Sequence, residues 1–436
     1  MSRSTSTDGA KPKVLLIGFL DTKEAEYAFV KDLLEAKGCE VFLIDASLQT
    51  DTALSKHAAH PPSAVCCAAG TSLSHLRTLP RAAALEHITA GATSIALSYQ
   101  VRGSLHGALA MGGSTTTALA CAVLRALRVG LPKLCVSTMA SGDVSHYVGD
   151  SDICMMPSIA DISGSMNVLS ARILTNAAAA LAGMARAYKD QPTPALGDAK
   201  HMVAVTMFGL TTLGVTVACE RLRSFTDASG RRLYEPVVFH CTGAGGRTME
   251  RLVEEKWFHA VLDLTTTELA DEQCGGILSA GPTRLTAPGN AGIPHVVSLG
   301  ALDMCNFGPR STVPEKYAAR TLHEHNPSIT LLRTSADECA AIGRTMADRL
   351  SVGHGPLAVV IPKHGWSGID IAGGPFWDPD ADRALVEELK KGLKEKGRAV
   401  EVIEVDKHVN DRDAAWVMAD KLHELVGKWE RSGGGA

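Results

Sequence analysis

Along the chain, short continuous apolar runs alternate with longer amphipathic stretches. In the first half, residues 14–18 (VLLIG), 41–45 (VFLID), 108–111 (ALAM), 133–138 and 153–156 predict strands. Helices are predicted over 22–37, 74–90, from Gly112 and Gly113 to about residue 127, and over 167–188. The second half repeats the style. Strands are expected over 202–208, 236–240, 260–264, 295–299, 329–332, 357–361 and 399–405. Helices are expected after Thr212, after Gly243, and over 335–350, 380–391 and 412–426. Strands that are apolar throughout, rather than alternating, lie buried on both faces and imply parallel sheets covered by helices. The expected fold class is α/β: two Rossmann-like doubly wound domains with mainly parallel sheets and a ligand cleft between them.

The clearest break is residues 188–200, YKDQPTPALGDAK, where two prolines and a glycine interrupt an Ala-rich helix. It separates an amino-terminal domain, 13–190, from a second domain, 201–428, with a linker at 191–200. Residues 1–12 and 429–436 are expected to be disordered or flexible tails.

Charge narrows the function classes. The 436 residues hold 43 Lys plus Arg and 47 Asp plus Glu, a net charge of −4. That balance argues against coating nucleic acid or adhering to a membrane. Aromatic residues are only 5%, leaving few stacking platforms for single strands. Eleven cysteines without a CxxC read as reduced thiols, and no secretory apolar segment is visible at the start, so a cytoplasmic protein is expected. The apolar stretch around 177–182 is too short to span a bilayer.

Candidate chemistry gathers where strands end. Gly18-Phe19-Leu20-Asp21-Thr22-Lys23-Glu24 follows a strand and starts a helix. Asp21 would cap that helix with Glu24 closing a box, leaving Lys23 beside free amides as an anion site. The plain alternative is an ordinary cap with a solvated lysine. Gly112-Gly113-Ser114-Thr115-Thr116-Thr117 repeats the grammar: glycines for close approach, then helix amides and hydroxyls for a phosphate or carboxylate. It is neither a Walker loop nor GxGxxG. Asp45, at the end of the second strand, would accept ribose hydroxyls or merely initiate a turn. Ser137 to Val144 carries further small hydroxyl residues.

In the second half, Thr242, Gly243, Gly245, Gly246 and Arg247 open a helix directly after a strand and form a second anion-binding candidate. His240 is an acid–base candidate or a packed strand histidine. Asp263 and Glu268, with Asp271 and Glu272 following, would transfer protons or hold Mg²⁺, or simply oppose a helix dipole. His323-Glu324-His325 is not HExxH, and no protein metal site is expected. Ser367 lies in HGWS without an identifiable base.

These motifs, in order, resemble the tomato mosaic virus resistance protein-like (Tm-one-like) ATP-binding family, with its bacterial and fungal relatives. The resemblance runs from about Val14 to Asp411 and includes IGFLDTKEAEYAFV, AMGGSTTTALA, FHCTGAGGRTMERL, VLDLTTTELADE and GALDMCNFGPRSTVPEKY. It implies two Rossmann-like subdomains, an ATP site in the amino half, and a homodimer or higher homo-oligomer. By position, Gly18, Asp21, Thr22 and Lys23 match the first nucleotide loop, and Gly112, Gly113, Ser114 and Thr117 match the second. The family loop is richer in glycine; Ala110, Thr115 and Thr116 stand here where glycines are common, and would either crowd a phosphate or offer it hydroxyls. The expected function is ATP binding, with Mg²⁺ to offset the polyphosphate charge near Asp21 and Asp45. An enzyme acting on a small organic acid or its phosphorylated form in the cleft, and a regulatory protein with a structural ATP site, are the alternatives. Neither nucleic acid nor membrane is an expected partner.

Overall fold

A computed structural model describes residues 10–49, 52–190, 199–398 and 400–434. The chain divides into two compact units, Met1–Pro194 and Ala195–Ala436. Most of the expected linker, 191–198, and residues 1–9 of the expected first tail lie outside the described residues.

The first unit has five parallel strands: β1 (Lys13–Gly18), β2 (Glu40–Asp45), β3 (Gly107–Gly112), β4 (Lys133–Ser137) and β5 (Cys154–Pro157). Their order is β2-β1-β3-β4-β5, with Leu16 opposite both Leu43 and Leu109. The helices are α1 (Leu20–Ala36), α2 (Pro62–Ala68), α3 (Leu73–Leu76), α4 (Arg81–Val101), α5 (Ser114–Ala126), α6 (Ser145–Val148) and α7 (Val168–Asp190). Both faces of the sheet are covered, as its uninterrupted apolar strands require. Val14 and Leu16 pack with Leu34, Leu174 and Leu181 from α1 and α7, while Leu15 and Ile17 pack with Val65, Ile88 and Leu119 on the other side. The single helix expected over 74–90 is broken, because Pro80 has extended backbone and stands as the N-cap of α4. Among the described residues, one helix is long and apolar enough to cross a membrane: α7, against the expectation that no such segment exists. Its apolar stripe is spent on the sheet face just described.

The second unit holds β6 (His201–Met207), β7 (Tyr234–His240), β8 (Ala260–Thr265), β9 (His295–Gly300), β10 (Met304–Phe307), β11 (Leu322–Asn326), β12 (Ile329–Arg333), β13 (Leu357–Pro362) and β14 (Glu401–Val405). Its helices are α8 (Thr212–Ser224), α9 (Ala244–Glu254), α10 (Glu268–Cys274), α11 (Ala287–Ala291), α12 (Ala336–Leu350), α13 (Pro379–Glu395) and α14 (Arg412–Arg431). Six strands form a parallel sheet in the order β14-β13-β9-β8-β6-β7. Counted within that sheet, its first three strands are arranged as in the first unit: the second strand lies beside the first, and the first beside the third. A separate antiparallel sheet, β10-β12-β11, was not expected from the sequence pattern. It places His323, Glu324 and His325 on a mostly exposed edge strand. The last helix continues to Arg431, three residues into the expected carboxy-terminal tail. Glu430 is held there by Lys200 and by His201, whose Nε2 lies 2.9 Å from Oε1.

Candidate functional site

In a doubly wound sheet, ligands bind beyond the carboxyl ends of the strands where the strand order reverses. In the first unit that switch point lies between β1 and β3. A cavity of about 450 Å³ opens there, within the size range of small-molecule sites. One side is the start of α5. No side chain caps this helix, and the first-turn amides of Ser114, Thr115 and Thr116 have no acceptor among the described residues. Unspent amides with the helix dipole behind them favour a negative charge.

Three cationic side chains line the same cavity: Lys23, Arg77 and Arg81. Lys23 sits where α1 leaves helical geometry, and its Nζ donates to Thr22 Oγ1 at 3.0 Å. Arg77 is braced by donating to the carbonyls of Leu48 (2.6 Å) and Gln49 (3.0 Å). Arg81 reaches Thr115 Oγ1 at 3.4 Å. The opposite wall is apolar, with Phe19, Leu48, Leu76, Leu79 and Leu85. An anion-binding end and an apolar end within one cavity match a molecule that is negatively charged at one end and flat or greasy at the other. Sequence patterning does not single out Arg77 and Arg81. The signal that could have found them is Pro80, which breaks the helix between them and turns both toward the strand ends.

Of the residues expected in the first unit, Asp21, Thr22, Lys23, Gly113, Ser114 and Thr115 line this cavity. The others serve its frame. Gly18 faces Tyr27, whose hydroxyl would lie 1.8 Å from any added Cβ. That hydroxyl shares its one proton between the carbonyls of Ile17 (2.7 Å) and Met111 (2.8 Å) and accepts from the Met111 amide, tying β1 to β3. Burial pushes the Tyr27 phenol far above its ordinary range, so it stays protonated. Gly112 is in contact with Thr116, which is itself buried beneath the helix start. Thr117 is also buried, bonding Gly113 O and Ser137 Oγ. Asp45, expected to accept ribose hydroxyls or initiate a turn, is fully buried and is not part of the cavity lining. Its Oδ1 accepts from the amides of Leu20 (3.3 Å) and Ser47 (3.0 Å). The box expected between Asp21 and Glu24 does not form, because α1 starts at Leu20 with Phe19 as its N-cap. Glu24 instead accepts from the Leu54 amide at 2.6 Å.

The second unit resolves its candidates differently. Glu268 is fully buried and its Oε1 accepts from the amides of Gly243 (2.8 Å) and Gly246 (3.0 Å). The expected anion site at the start of α9 is therefore filled by the protein's own carboxylate. Gly246 is required for this, since an added Cβ would meet Glu268 Oε2 at 2.0 Å. The other oxygen of Glu268 accepts from Arg284 Nε at 2.8 Å. Arg284, buried as well, also donates to Asp263 and to Glu250. Asp263 further binds His295 Nε2 at 2.8 Å. Burial alone would raise the Asp263 carboxyl, but Arg284 and His295 outweigh it and hold it well below the ordinary range. Asp263 and Glu268 are thus anchors of a buried charge hub rather than free acids.

His240 ends the edge strand β7, exposed, with its ring 5.5 Å from that of Phe208. The carbonyl of His240 closes on Gly245. Thr242 bonds back to His240 O at 3.4 Å, and Arg247 donates to Ser279 O at 2.9 Å. At this unit's own switch point, between β6 and β8, threonine hydroxyls knit the strand ends. Thr211 Oγ1 and Thr265 Oγ1 lie 2.7 Å apart, and the Thr265 amide donates to Thr206 Oγ1. Ser367 is fully buried and donates to Asp303 at 2.8 Å.

Comparison with known proteins assigns the family. Residues 12–190 match the N-terminal domain, and residues 200–426 the C-terminal domain, of an uncharacterised protein family, UPF0261. A UPF0261 protein of Clostridium tetani is 41% identical over 418 residues, covering 95% of this chain and 99% of that one. The ToMV resistance protein Tm-1(GCR237) of Solanum lycopersicum is 39% identical over 326 residues, covering 74% of this chain and 42% of the tomato protein. A solved putative UDP-N-acetylglucosamine 2-epimerase from Listeria monocytogenes is 14% identical with a TM-score of 0.22, covering 90% of this chain and 100% of that one. With one family domain on each of its two α/β units, the chain belongs to the UPF0261 family, of which bacterial and Tm-1 tomato proteins are homologues.

Proposed function

We propose that the first unit binds ATP in the cavity at the β1/β3 switch point. The observation that carries this reading is that the uncapped start of α5 lines one cavity together with Lys23, Arg77 and Arg81. The phosphates lie against the Ser114–Thr116 amides and the three cations, and the base lies against the apolar wall of Leu48, Leu76, Leu79 and Leu85. Thr115 and Thr116 do not block this arrangement. Thr116, although part of the lining, is nearly wholly buried with its side chain against Gly112, and Thr115 leans to Arg81. Mg²⁺ enters with the nucleotide, held mainly by phosphate oxygens and water.

Calorimetric titration with ATP, with and without Mg²⁺, tests the reading. Saturable binding is expected, with AMP weaker than ATP. Lys23→Ala, Arg77→Ala and Arg81→Ala are each expected to weaken ATP by roughly tenfold to a hundredfold, the worth of one charge-assisted hydrogen bond. No saturable heat at millimolar ATP, or full affinity in the Arg77→Ala/Arg81→Ala double variant, would overturn it.

A further inference from the structure

A second cavity of about 260 Å³ lies in the first unit, beyond the carboxyl ends of β4 and β5. Its lining includes Ser137, Thr138, Ser141, Ser158, Ile159 and Asp161. Two of its hydroxyls are already spent on the frame: Ser137 Oγ pairs with Thr117, and Ser158 Oγ donates to Ala160 O at 2.7 Å. The hydroxyls of Thr138 and Ser141 have no partner among the described residues, and one oxygen of Asp161 accepts only the neighbouring Ile162 amide. Donors and acceptors not spent on the frame therefore line this space.

Charge separates this cavity from the first. Its lining carries no cation, and its only ionisable residue is the carboxylate of Asp161. An anion placed here would face an unpaired like charge and find no counterion. An uncharged ligand with several hydroxyls would instead donate to Asp161 and exchange hydrogen bonds with Thr138 and Ser141. Its volume is just under the ~300 Å³ at which drug-sized pockets begin, which sets the ligand smaller than a nucleotide. The rim supports the reading. Ile159 is a β-branched residue held at φ 61°, with 76% of its surface exposed. Such a conformation is costly for its residue type and collects where a loop must keep a particular shape. Here it shapes the 157–161 turn that supplies one side of the lining, with Ser158 bonded locally to Ala160 O.

We propose that this cavity is a second ligand site, for a small neutral polyhydroxylated molecule, a sugar or polyol. It goes beyond ATP binding and stands without it, because no residue lines both cavities.

The test is a titration of the full chain, followed by protein NMR or calorimetry, with D-ribose, D-glucose and glycerol as neutral probes and D-ribonate as an anionic counterpart. At least one neutral probe is expected to saturate, and ribonate is expected to bind at least about tenfold more weakly than ribose. Thr138→Val and Ser141→Ala remove hydroxyls that hold nothing else in place, so both variants should fold. Together they are expected to weaken the neutral probe by about tenfold or more. Arg81→Ala is expected to leave it unchanged while weakening ATP. Absence of saturation by all three neutral probes, undiminished affinity in the double variant, or ribonate binding as tightly as ribose would each overturn the proposal. Neutral-probe binding in a protein that ignores ATP would remove the nucleotide reading and leave this one standing.

Discussion

Helix α5 of the first unit and helix α9 of the second unit begin alike in sequence. Each follows a strand, opens on glycines, and offers first-turn amides. They differ in what those amides meet. At α5 no side chain caps them, and Lys23, Arg77 and Arg81 line the same cavity. At α9 the carboxylate of Glu268 occupies the Gly243 and Gly246 amides, with Arg284 behind it. A glycine-rich turn thus marks a place where something anionic comes close to the backbone. Whether that anion is a ligand or part of the chain depends on residues far away in sequence.

The contrast can be broken most forcefully at Arg284. Arg284→Leu leaves Asp263, Glu268 and Glu250 buried without their cation, and is expected to cost about 3–5 kcal/mol of unfolding free energy in urea titrations. If that variant does not fold, Glu268→Gln, which keeps the shape and loses one charge, is expected to show a smaller loss in the same assay. Near-normal stability in both would return Asp263 and Glu268 to the set of free acids.

A paired substitution sharpens the comparison next. Gly246→Ala drives a methyl into Glu268 and is expected to cost about 1–3 kcal/mol, as overpacked cores do. Gly113→Ala meets its first neighbour, Thr138 Oγ1, only at 3.8 Å, and is expected to stay within about 1 kcal/mol. Equal losses at the two glycines would mean that the second unit's helix start is no more tightly filled than the first's.

The gentlest test is a slope with pH at one acid of the filled unit, spread over several pH units rather than read at one condition. Asp271 follows Glu268 in α10, where burial pushes its carboxyl up to about 7, partly offset by hydrogen bonds from Asn306 and Leu278. A raised carboxyl holds its proton better in the folded state than in the unfolded one. Its stabilising share is complete below the ordinary value of 3.8 and is lost as pH rises toward about 7. Stability measured against an Asp271→Asn variant is therefore expected to fall across that window, by at most about 1.4 kcal/mol per pH unit, and to level off above it. A flat difference across the window would remove the assignment.

Much of this is legible in residue order. Continuous apolar runs mark nearly all the parallel strands, and alternation within them, such as Val14 and Leu16 against Leu15 and Ile17, sorts onto the two sheet faces. The β10-β12-β11 sheet escapes the pattern in part because its strands are short and β11, LHEHN, is polar. The break at Pro80 is masked because the flanking pattern suits a helix. At the site, Lys23, Gly113 and Ser114 can be identified from local grammar. Gly18 and Asp45 read locally as ligand contacts, yet they answer to Tyr27, Leu20 and Ser47.

The sequence by itself determined the two α/β units, their mainly parallel sheets, the family, and the strand ends at which polar and glycine residues collect. Those follow from hydrophobic period and backbone freedom, which act over a few residues. Only the tertiary structure decided which collections are open. Glu268 reaches an amide 25 residues away, Arg284 gathers carboxylates up to 34 residues away, and Arg81 meets a threonine 34 residues on. Charge acts through space, and in a chain met as a string those separations carry no sign of which groups will come to lie within hydrogen-bonding distance of each other.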